Sequence, residues 1–128
     1  MGCTLLGSGY WRGKDGPLGL AKSAKKAKSY HRRAWQLTRK LCEAGDARSC
    51  SSVGSAYGRG HTGHRAGSGI RLAKDEKKAL RFQRRACEQL DYAEACRALA
   101  FKLYNTDRPA AQKFRRRACR LGMKAMCP

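Results

Sequence analysis

Hydrophobic and small residues recur along this chain at the spacing of an amphipathic helix. In the clearest copy they follow a cysteine at intervals of three, four and seven residues, which places them on one helix face. These positions are Cys50, Val53, Gly54 and Tyr57. Residues 3–13 repeat the same order of Cys, Gly, Ser, Tyr and Arg, and residues 96–104 form a weaker third copy. We call this element helix A, and its small Gly54 position predicts a close approach by a neighbouring helix.

A second amphipathic pattern, helix B, also occurs three times when its copies are aligned on the cysteine that ends each one. Its apolar stripe consists of an alanine, a Leu or Phe three residues later, and a Leu or Ala just before the cysteine. The copies are Ala34–Leu37–Leu41, Ala79–Phe82–Ala86 and Ala111–Phe114–Ala118. Paired basic residues flank each copy, and they predict an exposed basic face carrying Arg84, Arg85, Arg116 and Arg117.

Alternating A and B helices predict an all-α fold built as a helical-repeat solenoid. The expected helices are 3–11, 29–43, 47–58, 75–90, 93–104 and 109–121. Long Gly- and Lys-rich loops are expected at about 12–22 and 58–69, and a short one at 105–109. The whole chain, 1–128, is expected to form a single array. Its parts are a partial first repeat at about 1–42, repeats at 47–90 and 93–121, and a stub at 122–128.

Six of the seven cysteines fall into three local pairs, whose members stand eight or nine residues apart. In the first pair, Gly45 suits the end of a helix and Asp46 suits the N-cap of the next. The repetition of this arrangement predicts three disulfides. They are Cys42–Cys50, Cys87–Cys96 and Cys119–Cys127. Metal ligation or reduced thiols remain the alternative, although no tight Cys-x-x-Cys spacing occurs.

The leftover cysteine, Cys3, aligns with the second member of each pair. We therefore expect it to be unpaired and the chain to begin inside a repeat. No segment at this end has the features of a complete signal peptide. Residues 1–13 are expected to pack poorly, because the helix that precedes this element in the other repeats is missing here.

Several short motifs resemble those of Sel-1-like repeats, a subfamily of tetratricopeptide-like helical repeats. They are Gly58-x-Gly60 after the helix-A tyrosine, residues 74–80, and residues 85–88. Two cysteines per repeat are similar to the bacterial cysteine-rich secreted members. The resemblance implies that disulfides bridge helix B of one repeat to helix A of the next, and that the protein is secreted or periplasmic. The long loops and the missing glycines of the third repeat depart from the family pattern.

Charge narrows the partners that the chain is suited to bind. It carries 29 basic and 9 acidic residues, for a net charge of +20. Such a surface attracts acidic proteins or other polyanions, although the same bias also occurs without a partner. No helix-turn-helix, zinc finger or stacking-aromatic pattern predicts specific nucleic-acid binding. No apolar run reaches the ~20 residues of a membrane span.

Two motifs bear on catalysis or metal binding. Ser23 and Lys26 form Ser-x-x-Lys, the nucleophile motif of penicillin-recognising enzymes, but the companion Ser-Asp-Asn and Lys-Thr-Gly motifs are absent. The cysteine-rich relatives make β-lactam binding or weak β-lactamase activity the alternative function that the resemblance implies. His61 and His64 stand in a glycine-rich loop, and we expect them to be solvated. No catalytic residue, metal or cofactor is therefore assigned.

The function that this pattern favours is a protein–protein interaction scaffold. Helix-A positions one and five residues after the cysteine are expected to line a groove for an extended peptide. These positions are Ser51, Ser55, Arg97 and Phe101, with Thr4 and Ser8 in the first copy. Arg97 is the expected carboxylate anchor and Phe101 the apolar contact. A nonspecific polyanion or nucleic-acid binder is the third interpretation.

Overall fold

Five α-helices make up most of the chain in the computed structural model, which describes residues 16–65 and 68–128, with side chains from residue 25 onward. The helices are α1 (Gly16–Glu43), α2 (Ala47–Arg59), α3 (Glu76–Arg84), α4 (Ala93–Leu103) and α5 (Arg108–Arg120). A π-helical turn, Arg85–Gln89, continues α3, and a 3-10 turn, Lys124–Met126, follows α5. Within the described ranges no strand forms beyond an isolated bridge between His61 and Arg71. The prediction of an all-helical fold is confirmed. The predicted helix 3–11 and Cys3 lie outside the described residues.

Aspartate caps set the start of three helices. Asp46, Asp75 and Asp107 each accept a hydrogen bond from the backbone N–H three residues further on. A side-chain acceptor at this place satisfies one of the free amides of the first helical turn. α5 also carries Pro109 in its first turn, where the missing N–H removes no helical hydrogen bond. Consequently the predicted starts of α2, α3 and α5 agree with the structure to within one residue.

The start of α1 was predicted wrongly. A loop was expected up to about residue 22 and a helix from residue 29, but the helix begins at Gly16. Alanine, leucine and lysine fill this stretch, and their helix propensities outweigh the single Gly19. Pro17 stands in the first turn, where its fixed φ favours a helix start. Despite the length of α1, none of the helices in the described part of the chain is both long and apolar enough to cross a bilayer.

Disulfides join the helices on either side of each short turn. Cys42–Cys50, Cys87–Cys96 and Cys119–Cys127 have Cα–Cα distances of 4.5, 4.8 and 4.8 Å, as the local repetition of the cysteines predicted. Gly45 and Gly122 end their helices in the left-handed conformation, with φ of 97° and 103°. Since only glycine adopts this φ without strain, the turns depend on these two residues.

The middle turn contains one residue more than the other two, and the π-helical turn accommodates it. The sequence separation is 9 for Cys87–Cys96 and 8 for the other pairs. Here the N–H of Tyr92 donates to the carbonyl of Ala86, six residues back, whereas Asp46 donates to Leu41, five residues back. Asp91 takes the left-handed φ, at 53°. The wider π turn therefore keeps the two sulfurs in register despite the insertion.

The core lies between α2, α3, α4 and α5. Val53, Leu99 and Phe114 are its main large side chains, and the Cys42–Cys50 and Cys87–Cys96 disulfides are fully enclosed. The alanines of the second and third B stripes are buried as predicted. In the first stripe, however, Leu37 and Leu41 are 51% and 42% exposed. The reason is that α1 packs mainly against α2, so no described helix covers its other side.

Two glycines on α2 lie against other helices, with different neighbours. A Cβ built at Gly54 would lie 2.9 Å from the backbone oxygen of Ala79 on α3. At Gly58 the nearest atom would be the amine of Lys102, at 2.8 Å. A backbone oxygen cannot move without shifting α3, whereas the end of the Lys102 side chain can shift at the expense of an exposed ion pair with Glu76. The small residue predicted at Gly54 therefore does permit the close α2–α3 approach.

The Gly54→Ala substitution is expected to destabilise the protein by about 1–2 kcal/mol. The cost of overpacking the α2–α3 contact should exceed the ~1 kcal/mol that alanine gains over glycine in helix propensity. Gly58→Ala is the matched control, and it should leave stability unchanged or raise it. Urea unfolding followed by circular dichroism measures both. Equal effects of the two substitutions would contradict the close approach at Gly54.

Removing the middle disulfide by Cys87→Ser/Cys96→Ser should lower the free energy of unfolding by about 2.5 kcal/mol, as expected for a closed loop of about nine residues. Removing Cys119–Cys127 should cost less, because only the last few residues would then detach. Thermal unfolding of both double variants, with wild type in reductant for comparison, checks this. A melting temperature of the wild type that reductant does not change would show that the disulfides contribute little.

Candidate functional site

A buried glutamine holds two of the predicted groove residues. Gln83 on α3 is 4% exposed, and its Nε2 donates to the Ser51 carbonyl and to Ser55 Oγ, both at 3.0 Å. Its Oε1 accepts from Ser51 Oγ, also at 3.0 Å. These contacts fix both serines on α2. The sequence analysis missed Gln83, although it is a polar residue within the buried stripe that runs from Ala79 to Ala86.

The same face of α2 borders a cavity of about 270 Å³ that we call the cleft. Its walls come from α1, α2, the loop that follows α2, and the Tyr92 side chain. On α1 the lining residues are 31, 34, 35 and 38, and on α2 they include 48, 52, 55 and 59. Both sets follow the spacing of a helix face. The cleft is therefore a groove along two packed helices.

Two arginines line the cleft, and among the residues that the structure describes no Asp or Glu lines it. Arg48 and Arg59 are eleven residues apart on α2, which corresponds to ~16 Å along a helix axis. His31 lies on the α1 wall and His64 on the loop. Serine and threonine residues also line the cleft, and Trp35 is the largest apolar side chain among its lining residues. This composition suits an anionic ligand.

Burial desolvates part of the Arg59 side chain. Its Nε is buried and has no hydrogen-bond acceptor. Desolvation by burial lowers the pKa of Arg59 below its ordinary value. Among the residues that the structure describes, no carboxylate lies within ion-pair distance of its guanidinium. The unfavourable desolvation is thus not offset by a partner within this part of the protein.

The other two predicted groove residues lie elsewhere. Phe101 is 64% exposed on α4, and the Arg97 guanidinium carbon lies 5.3 Å from the centroid of its ring. Arg97 also pairs with Glu94 at 3.5 Å. Neither Arg97 nor Phe101 lines the cleft that contains Ser51 and Ser55. The four residues are therefore divided between two surfaces, while Thr4 and Ser8 lie outside the described residues.

The predicted basic face separates into exposed and inward-turned arginines. Arg84 and Arg116 are exposed, as expected. Arg117 instead donates from Nε to the Cys87 carbonyl at 3.0 Å, and from Nη2 to the Glu88 carbonyl at 2.9 Å and to Asp91 at 2.7 Å. Arg85 donates to the Glu43 carbonyl at 3.4 Å. Arg85 and Arg117 are only partly exposed because they bind the C-terminal carbonyls of other helices.

The remaining motifs lie apart from one another. Ser23 is on α1, in the stretch whose side chains are outside the described residues. His64 is exposed and lines the cleft, whereas His61 is partly buried and has an unpartnered Nδ1. In residues 16–65 and 68–128 no group of three or more His, Cys, Asp and Glu side chains is placed to hold a metal ion.

No protein-family model matches the chain, and neither a curated protein nor a solved structure matches it.

The adjacent arginines on α5 allow a test of these assignments. Arg117→Met should destabilise the protein by about 1–2 kcal/mol, because it leaves the Cys87 and Glu88 carbonyls without their charged donor. Arg116→Met removes the same charge from an exposed place and should change stability little. Urea unfolding of the two variants measures the difference. A loss of stability in Arg116→Met as large as that in Arg117→Met would refute the inward role of Arg117.

Proposed function

We propose that the protein is a helical-repeat scaffold, of the kind that Sel-1-like repeats form, and that it binds an acidic protein partner. The exposed arginines that recur at one position of each B helix are the observation that carries this proposal. They are Arg39, Arg84 and Arg116, each three residues before the cysteine that ends its helix.

Contacts between successive B helices support the stacked arrangement. Arg85, two residues before Cys87, donates to the carbonyl of Glu43, the residue after Cys42. Arg117, two residues before Cys119, donates to the carbonyl of Glu88, the residue after Cys87. The two contacts join equivalent positions of neighbouring repeats. Such a recurring contact is expected when units are stacked in one register.

Charge supports an acidic partner. All three recurring arginines are exposed, and in the described part of the chain none of them has a carboxylate within ion-pair distance. In a stack, neighbouring helix axes are ~8–10 Å apart, so the three guanidinium groups would form a row. A row of unpaired cations attracts an acidic polypeptide and speeds its association.

The disulfides support a compartment outside the cytoplasm. Three of them close turns between helices. Disulfides form and persist in oxidising environments and are rare in the reducing cytosol. A secreted or periplasmic location is part of this proposal, and it is the location in which the partner would be found.

An acidic peptide of alternating Glu and apolar residues, labelled with a fluorophore, provides the test. Arg84→Gln/Arg116→Gln should weaken its binding by about threefold to tenfold per substitution. Arg65→Gln/Arg71→Gln, which removes the same charge from the exposed loop after α2, is the matched control and should weaken it less. Fluorescence anisotropy at low and at physiological salt measures both.

Two outcomes would contradict the proposal. Equal losses in both double variants, with binding abolished at physiological salt, would identify a nonspecific polycation. If a single-stranded oligonucleotide of equal charge bound more tightly than the peptide, the polyanion-binding alternative would be favoured. Binding of that kind weakens steeply as the salt concentration rises. Retained peptide binding at physiological salt that depends on the recurring arginines supports the scaffold.

A further inference from the structure

The cleft between α1 and α2 has the features of a small-molecule site. We propose that it binds a small ligand in which an oxyanion, as a phosphate ester or a carboxylate, is attached to a flat apolar group. This inference goes beyond the proposed scaffold function, because it concerns another surface and does not require an acidic protein partner.

Charge around the cleft favours an anion. Arg48 stands in the first turn of α2, two residues after the capping Asp46, where the helix dipole disfavours a cation. Arg59 stands at the other end of α2, with a buried Nε that lacks an acceptor. Within the described part of the chain, no acidic residue lines the cleft to balance them. A bound oxyanion would offset the desolvation of the Arg59 guanidinium.

Two serine hydroxyl groups of the cleft are held in place by Gln83 before any ligand binds. Ser51 donates its hydroxyl hydrogen to Gln83 Oε1, so it is already committed. Ser55 accepts from Gln83 Nε2 and keeps its own hydrogen for a further acceptor. Ser55 lies one turn before Arg59 on the same helix face. The two side chains can therefore donate to the same oxyanion, with Ser55 held in place by Gln83.

Aromatic side chains provide a flat wall beside these donors. Trp35 lines the cleft from α1, and an edge-to-face contact with Tyr57, with ring centroids 5.7 Å apart, fixes its plane. Tyr92 lines it from the N-terminus of α4. The volume of about 270 Å³ lies just below the ~300–1,000 Å³ of small-molecule pockets. It suits a ligand with one ring.

Trp35 reports on binding directly. The chain has two tryptophans, so Trp11→Phe leaves Trp35 as the sole indole. Phenyl phosphate, benzoate and inorganic phosphate are titrated into this protein, and phenol serves as the uncharged analogue. Saturable fluorescence changes with phenyl phosphate or benzoate, and none with phenol, support the proposal. The tighter of the two charged compounds shows whether a phosphate ester or a carboxylate is preferred. No saturable change with either at millimolar concentration would overturn the proposal.

Variants separate a defined site from general attraction to a cationic protein. Arg59→Met should weaken the tighter ligand by about 10- to 100-fold, and Ser55→Ala by about threefold to tenfold. Arg116→Met carries the same loss of charge on α5 and should leave the affinity nearly unchanged. Circular dichroism checks folding, and Arg48→Met replaces Arg59→Met if that variant does not fold. Equal weakening by the cleft variant and by Arg116→Met would overturn the proposal. These titrations do not involve the acidic peptide, so failure of the scaffold proposal would leave their outcome intact.

Discussion

The disulfide-closed turn between successive helices is the constraint on which the rest of this structure depends. Among the described residues, the buried part of the core contains five large side chains, and its other members are alanine and cysteine. The five are Val53, Leu99, Leu103, Phe114 and Met126. A net charge of +20 opposes compaction at the same time. The disulfides reduce the number of unfolded conformations available to each turn, so less core is needed to hold the helices together.

The π-helical turn shows how strict this constraint is. Where one residue is added between the cysteines, the helix widens and the disulfide remains in place.

Close packing of α2 on α3 follows from that constraint and places the cleft. Gly54 allows the Ala79 carbonyl to approach, and the buried Gln83 can then reach two serines across the interface. The opposite side of α2 faces α1, which is held by the first disulfide. Arg59 is thereby partly desolvated beside hydroxyl groups whose orientation is already set. The chemistry of the cleft therefore follows from the packing of α2 between α1 and α3.

Arginine has two separate roles in this protein, and adjacent positions in the sequence take different roles. The residue three before the helix-ending cysteine points to solvent, as in Arg84 and Arg116. The next residue turns toward the end of another helix, where Arg85 and Arg117 donate to carbonyls that no helical N–H satisfies. One role contributes to stability and the other leaves charge available for a partner. Composition alone shows an excess of cations but does not distinguish these roles.

The sequence by itself determined the helices from α2 onward, the Asp46 cap, the disulfide pairs and the small residue at Gly54. All of these depend on residues within about one turn or one short loop of each other, so local spacing and propensity are sufficient. The start of α1 lies well before the predicted residue 29, because most of residues 16–28 have high helix propensity despite their glycines. Only the tertiary structure decided that Gln83 holds Ser51 and Ser55, that Leu37 and Leu41 are exposed, and that Arg117 turns inward. The cleft also emerged only there. Its key contacts join side chains 28 to 32 residues apart, and such pairs form according to how packed helices face one another, which periodicity along a single helix does not encode.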